Sequence, residues 1–277
     1  MSDIVTKIGS SVLQHGNYND RIYLMKLSRS DFPSIIGELD TLATDKGYCK
    51  IIAKVPAYAK DAFLNDGYIC EASITRFYRN SEEAHFMVKY YCKSRLFDNE
   101  TGLNKKVLET SESKSGNGVT VELPHGFEYT ICGRSDALEI ANVYKKVFET
   151  YPFPIYDPRY IEKTMDENLI YFCIWNGVNI VALASSEIDI ESQNVEMTDF
   201  ATLPEYQGNS FSLYLLQKME YEMQKKNMKT AYTIARAGSY GMNIAFTKSG
   251  YEYGGTLINN TNISGNFESM NVWYKHL

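Results

Sequence analysis

The alternation of apolar and polar positions divides the chain into a first run of strands and helices, a polar interval, and a second run. A strand is predicted at 21–27, where Ile22, Leu24 and Leu27 are apolar. A helix follows, with Ser30 as its cap, Pro33 in its first turn and Ile35, Ile36, Leu39, Leu42 and Ala43 on one stripe ending at Gly47. Residues 49–55 read as a buried strand. Pro56 opens a short helix that stops at Gly67 with Phe63 inward, and strands at 68–78 and 84–91 complete this run.

Residues 93–124 change character, with polar, glycine-bearing stretches at 98–102 and 110–118. They read as a linker with a short helix between its loops. The expected organisation is therefore residues 1–92, a linker at 93–124, and a second unit at 125–277.

The second run restarts with a strand at 127–133 and a helix capped by Ser135. A proline-broken loop, Tyr151-Pro-Phe-Pro-Ile-Tyr-Asp-Pro158, leads to a helix near 159–168. Strands at 169–175, 179–188 and 194–203 precede a helix at 208–227 that carries Leu215, Leu216, Met219 and Met223 on one stripe. Then come a strand (230–235), a helix (239–249) and two strands (251–258 and 267–274). The succession is βααβββαβαββ. A shift of 183 also carries Phe63, Gly67, Tyr68, Met87 and Tyr91 onto Phe246, Gly250, Tyr251, Met270 and Tyr274. Both copies read helix, glycine, strand, strand, which points to a duplicated fold.

Composition narrows the class. With 277 residues, 44% of them hydrophobic and 22% charged, the chain can bury a substantial core. A net charge of −6 disfavours nonspecific binding to nucleic acid or an anionic membrane. No apolar run is long enough to span a bilayer. The five cysteines are scattered, without CxxC or HExxH, so no structural zinc or other metal site is expected. The odd cysteine count and the absence of a leader pattern at the start point to a reducing, cytoplasmic setting.

The informative segment is 198–216, where a strand enters a turn at Pro204 and small residues open an apolar helix. The N–H groups of a first helical turn lack intrahelical partners and favour a phosphate. Gln207, Gly208, Asn209, Ser210, Phe211 and Ser212 fill the slots of Q/R-x-x-G-x-G/A, and Phe246-Thr-Lys-Ser-Gly250-Tyr251 fills those of Y-x-x-x-G-F/Y. The arrangement resembles the acetyl-CoA loop and final helix of the GCN5-related N-acetyltransferase (GNAT) superfamily, whose fold has the same element succession. Both motif glycines are serine here (Ser210, Ser212), and the family's tyrosine slot holds Phe246. The resemblance implies an α/β fold with a mixed sheet, acetyl-CoA as donor, and a tandem architecture: a degenerate first half and a complete catalytic second half. Residues 14–26, 53–59, 151–154, 198–204, 230–236 and 254–263 extend it to the bacterial and archaeal β-lysine N-acetyltransferases. That match implies transfer of acetyl to the side-chain amine of β-lysine, giving an osmolyte that is neutral overall.

Candidate roles follow from that chemistry. Glu196, on the strand entering the loop, is the first candidate base, with Asp199 the runner-up or a partner for the substrate ammonium; strand alternation places them on opposite faces. A solvated strand carboxylate is the plainer reading of Glu196. A backbone N–H among Ala201, Thr202 and Leu203 would stabilise the oxyanion. Tyr240 is the substitute acid for the missing tyrosine, and Asn243 a further cofactor contact. Arg159 and Arg236 are candidate carboxylate partners; Tyr151, Phe153 and Tyr156 would wall the aliphatic stem. The duller alternative makes these surface charges and loop packing. Residues 15–21 either reach the site or form only a strand turn. The first half lacks a phosphate-type loop and is expected to bind no CoA. The expected partner is a small-molecule amine, with a homodimer left open. Rival readings are acetylation of another small amine (α-lysine or a polyamine) or of protein lysine, and a CoA-binding protein without turnover.

Overall fold

The computed structural model describes residues 3–98, 100–116, 118 and 120–277. The first run comprises β1 (Ile4–Ile8), β2 (Ser11–Gly16), β3 (Arg21–Lys26), α1 (Ile35–Lys46), β4 (Lys50–Pro56), α2 (Ala57–Asn65), β5 (Ile69–Tyr78) and β6 (Glu82–Tyr90). Two helices follow, α3 (Lys93–Leu96) and α4 (Thr101–Glu112). The second run starts with β7 (Glu128–Ile131), α5 (Ala137–Val147), α6 (Pro158–Glu167), β8 (Leu169–Asn176), β9 (Asn179–Asp189) and β10 (Asn194–Thr202). It closes with α7 (Phe211–Lys225), β11 (Thr230–Arg236), α8 (Tyr240–Lys248), β12 (Glu252–Ile263) and β13 (Asn266–His276).

This is an α/β fold, and the βααβββαβαββ succession of the second run holds element by element. Three local expectations fail. β1 and β2 precede the first predicted strand, because β1 alternates weakly and stays largely exposed at the sheet edge. The cap of α1 is Ser34 rather than Ser30, since a 3-10 turn at Arg29–Asp31 intervenes. The cap of α5 is Asp136 rather than Ser135, whose hydroxyl reaches only the Asp136 carboxylate; that carboxylate also accepts from the Gly133 amide. The polar interval carries the twelve-residue α4, which buries only Val107 and Ser111 and so lacks a strong apolar stripe.

All strands join one mixed sheet in the order β1-β2-β3-β4-β6-β5-β12-β13-β11-β10-β9-β8-β7. Read outward from the β5–β12 junction, the pairings correspond: β3 and β4 are parallel around α1, as β10 and β11 are around α7, and β7 is the one strand without a counterpart. The bulges correspond too. Register breaks at 70/72 and 74/78 in β5 recur at 253/255 and 257/261 in β12, the offset of 183 residues seen in the sequence. The halves meet where Gly255 pairs with Ala72. A Cβ on Gly255 would lie 2.2 Å from the Glu71 carbonyl oxygen, and its φ is +137°, so only glycine permits this junction.

Two core clusters flank the second run's strands, one under α7 and α8 and one under α5 and α6. Another packs α1 and α2 on the first run, and a fourth (Phe77, Phe86, Tyr232, Met270) fills the space between the halves. Strand pairing also brings together cysteines that are distant in sequence: Cys49–Cys92 and Cys132–Cys173 are disulfides, while Cys70 is free. This corrects the reading of the cysteines as merely scattered. No helix among the described residues is long and apolar enough to cross a membrane.

Candidate active site

The site forms where β10 leaves its partner. β10 and β11 pair only over Asn194–Glu196 and Thr230–Tyr232, then diverge. A bulge between Thr198 and Ala201, with Asp199 at φ +54°, turns the strand further. A cavity of about 1170 Å³ opens between the halves, lined by Tyr23 and Lys54 from the first and by Glu187, Glu196, Asp199 and Tyr232 from the second. The bulge cancels the predicted alternation: Glu196 and Asp199 both face the cavity, although simple pleating puts them on opposite faces.

Like charges set the character of Glu196. It lies directly across the strand pair from Glu187, a costly arrangement for two carboxylates. Burial, and then Glu187, push its carboxyl up to about 7, against the opposing pull of Lys54 and Tyr232. Lys54 Nζ donates to the Tyr232 hydroxyl at 2.9 Å. Burial lowers the Lys54 ammonium, while Glu196 and Glu187 hold it up. Asp199 is engaged otherwise: it accepts from the Tyr151 hydroxyl and from Ser185 Oγ at 2.6 Å. Burial raises its carboxyl despite those bonds.

Behind the divergence sits the loop before α7. The Gln207 amide donates to Pro204 O, and Asn209 Nδ2 to Tyr206 O. The amides of Gly208, Asn209, Ser210, Phe211 and Ser212 make no hydrogen bond to the described chain. Free amides at a helix start favour an anion such as a phosphate. Ser210 holds the left-handed conformation (φ +60°) that the motif's glycine would adopt. Gly208 has φ +87° and open space beyond its Cα. Gly208→Ala is therefore expected to cost about 1 kcal/mol from backbone strain alone and to weaken acetyl-CoA binding. Denaturant midpoints and calorimetric titration check the two effects separately.

Several sequence candidates are placed elsewhere. Asn243 is fully buried, and its amide is saturated. Nδ2 donates to Arg236 O and Ser239 O, while Oδ1 accepts from Asn271 Nδ2 at 2.9 Å and Trp273 Nε1 at 2.8 Å. Nothing remains for a cofactor. The Leu203 amide is bound to Val181 O, which removes it as an oxyanion donor; the Ala201 and Leu203 side chains pack into the core under α5. Thr202 continues the β9 pairing opposite Ala182. Tyr240 is partly exposed and off the cavity wall, whereas Phe246 lines it edge-on to Phe200. Tyr151 and Phe153 line the cavity. Tyr156 does not, because its hydroxyl donates to Phe148 O. Arg159 is 89% exposed and paired with Asp157. Arg236 reaches the cavity rim but is forked onto Glu268 at 2.7 and 2.6 Å.

The residues missed are Gln14, Tyr23, Lys54 and Glu187. The available signals were a lone lysine inside the apolar run Ile51-Ile-Ala-Lys54-Val55 and a glutamate within a buried strand. The segment 15–21 is a hairpin turn between β2 and β3, and its last side chain, Arg21, lines the cavity.

Residues 137–251 match the acetyltransferase (GNAT) family. The chain is 44% identical to a beta-lysine N(6)-acetyltransferase of Methanococcus maripaludis, over 98% of each chain. It is 33% identical to a protein of the same name from Methanosarcina mazei, over 89% of this chain and 98% of that one. It is 32% identical to the N-acetyltransferase YodP of Bacillus subtilis, over 97% and 96% of the two chains. Likeness over nearly the full length, together with the element order and the loop before α7, places this chain in the GNAT acetyltransferase family.

Proposed function

We propose that the protein moves the acetyl group of acetyl-CoA to the side-chain amine of β-lysine, giving Nε-acetyl-β-lysine. The names of the two archaeal relatives support this substrate. The observation that carries it is a carboxylate, Glu196, held near neutrality on a cavity wall where β10 and β11 part. The free amides at 208–212 fit the diphosphate of the donor from the other side of the sheet.

A side-chain ammonium has a pKa near 10.4, so only about one amine in a thousand is neutral near pH 7.4. Glu196 takes that proton, directly or through water, while Tyr23, Tyr151 and Phe153 hold the aliphatic stem. Backbone N–H groups of β10 beyond Glu196, on the side that β11 has left, polarise the thioester carbonyl. The thiolate leaves without a tyrosine acid, since Phe246 cannot donate and a thiol of pKa about 8 to 9 is a good leaving group. The first half (1–92), joined through 93–124, binds no nucleotide in this reading and forms the opposite wall of the site. The loop before α1 is instead tied to the β1–β2 turn, where its Asp31 carboxylate accepts from the amides of Ser10 and Ser11.

Purified protein should release free thiol from acetyl-CoA with β-lysine and much less with α-lysine, spermidine or a lysine peptide. Turnover with the peptide alone reverses the substrate assignment.

A further inference from the structure

The substrate reading requires a place for a carboxylate and an ammonium, and both cations suggested by the sequence are unsuitable. Arg159 is exposed, and Arg236 is forked onto Glu268. The remaining cavity cations separate cleanly. Lys26 pairs with Asp189 and Glu191, and Arg79 reaches Glu191 at 4.0 Å. Lys54 donates to Tyr232 within the field of Glu196 and Glu187. Arg21 has no acidic group within ion-pair distance among the described residues, although it is only 5% exposed.

A buried guanidinium without a carboxylate is costly unless something else answers it. Arg21 Nη1 donates to Asn260 O and, at 3.3 Å, to Thr261 Oγ1. Its Nε is buried with no partner, and its Nη2 makes no hydrogen bond to the described residues. Asp3, the acidic group acting on it, is taken up by Tyr18 and Asn19. Beside it, Asn260 is 3% exposed, and its Oδ1 is equally unpartnered. Arg21, with its orphan donor, and Asn260, with its orphan acceptor, thus meet through Nη1 and the Asn260 carbonyl on the cavity wall, one residue from each half. Unmade bonds of this kind are costly in the interior, so their pairing here calls for a ligand that satisfies both.

Position matches chemistry. Arg21 and Tyr23 alternate onto the same face of β3, roughly 7 Å apart along the strand. Tyr23 in turn lies within the electrostatic reach of both Arg21 and Glu196. Tyr23 thus stands between the orphan pair and the candidate base, along the path a short aliphatic chain would take. We propose that Arg21 and Asn260 form the head-group subsite: the carboxylate of the substrate lies on the free edge of the Arg21 guanidinium, and its β-ammonium donates to Asn260 Oδ1. This rests on the β-lysine reading and adds to it the residues that select a zwitterionic head over a simple amine. It also gives the first half a direct part in specificity.

The test compares β-lysine with two truncated analogues, 1,4-diaminopentane (no carboxylate) and 6-aminohexanoate (no β-ammonium), by kcat/KM in wild type, Arg21→Gln and Asn260→Ala. Arg21→Gln is expected to lower the preference for β-lysine over 1,4-diaminopentane about 30-fold, chiefly through KM. Asn260→Ala is expected to lower the preference over 6-aminohexanoate about tenfold. Calorimetric affinity for acetyl-CoA reports whether each variant is folded, and Arg21→Lys, which keeps the charge and loses the fork, replaces Arg21→Gln if the latter is not. A wild type that prefers β-lysine while both preferences survive in folded variants overturns the subsite and leaves the function standing. A wild type that prefers the carboxylate-free diamine removes both.

Discussion

Glu196→Gln is expected to lower kcat for acetyl transfer by about a hundredfold or more near pH 7.4, with the KM for acetyl-CoA little changed. The physical basis is burial of the carboxyl, with a second carboxylate facing it. Burial and Glu187 raise the Glu196 carboxyl to about 7, and Lys54 keeps it from rising further. A base must be ionised to work, so wild-type kcat/KM should fall as pH drops through about 7, and the variant should lose that limb. The same shift acts on stability. The folded state binds the Glu196 proton more tightly than the unfolded chain does, so the stabilising contribution is fully present at acid pH. It is lost as pH rises from the ordinary carboxyl value of 4.5 through about 7. Glutamine cannot ionise. Glu196→Gln should therefore melt close to wild type at pH 5 and above it at pH 8, even while nearly inactive. Scanning calorimetry at the two pH values, beside a pH–rate profile, checks both halves. An unchanged rate and an unchanged acid limb remove Glu196 as the base.

Asn243→Leu is expected to destabilise the fold by about 4 kcal/mol. The side chain makes four hydrogen bonds in the interior. Leucine would strand Trp273 Nε1 and Asn271 Nδ2 without an acceptor and release two carbonyls at the start of α8. In a chain of this length that corresponds to a fall in Tm of roughly 10 °C. The protein that remains folded should bind acetyl-CoA almost as well as wild type, because nothing on Asn243 is left to contact it. The opposite pattern, intact Tm with weakened acetyl-CoA binding, would return Asn243 to the cofactor-binding role that its position on the helix suggests.

Much of the second half was legible because its signals are local. The strand–turn–helix at 198–216 and the glycine-ended helix at 246–251 each lie within a few turns of chain, and the unbonded amides at 208–212 follow from where α7 starts. The two departures from the family pattern could also be read directly. Ser210 adopts the glycine conformation, and Phe246 packs its ring edge-on against Phe200. Asp199 shows the limit of such reading. Strict pleating sent it to the far face, and one extra residue in the bulge turned it back beside Tyr151 and Ser185. The helix expected between the two polar stretches is α4, and its twelve-residue length was harder to read than its presence, since its packing rests on two buried positions.

By itself, the chain determined the element order of the second half, the phosphate-type corner, and the echo whose bulges recur at the same offset. These depend on propensity, periodicity and turn residues, which act over a handful of neighbours. The tertiary structure alone decided which charges share the cavity. Lys54 and Tyr232 are 178 residues apart, and Arg21 and Asn260 are 239 apart. It also decided that Cys49 meets Cys92 and Cys132 meets Cys173, and that Arg236 is already taken by Glu268. Whether a charged or polar side chain is free to act depends on what is packed against it. Strand pairing and the junction at Gly255 set those neighbours, and no window of sequence contains them.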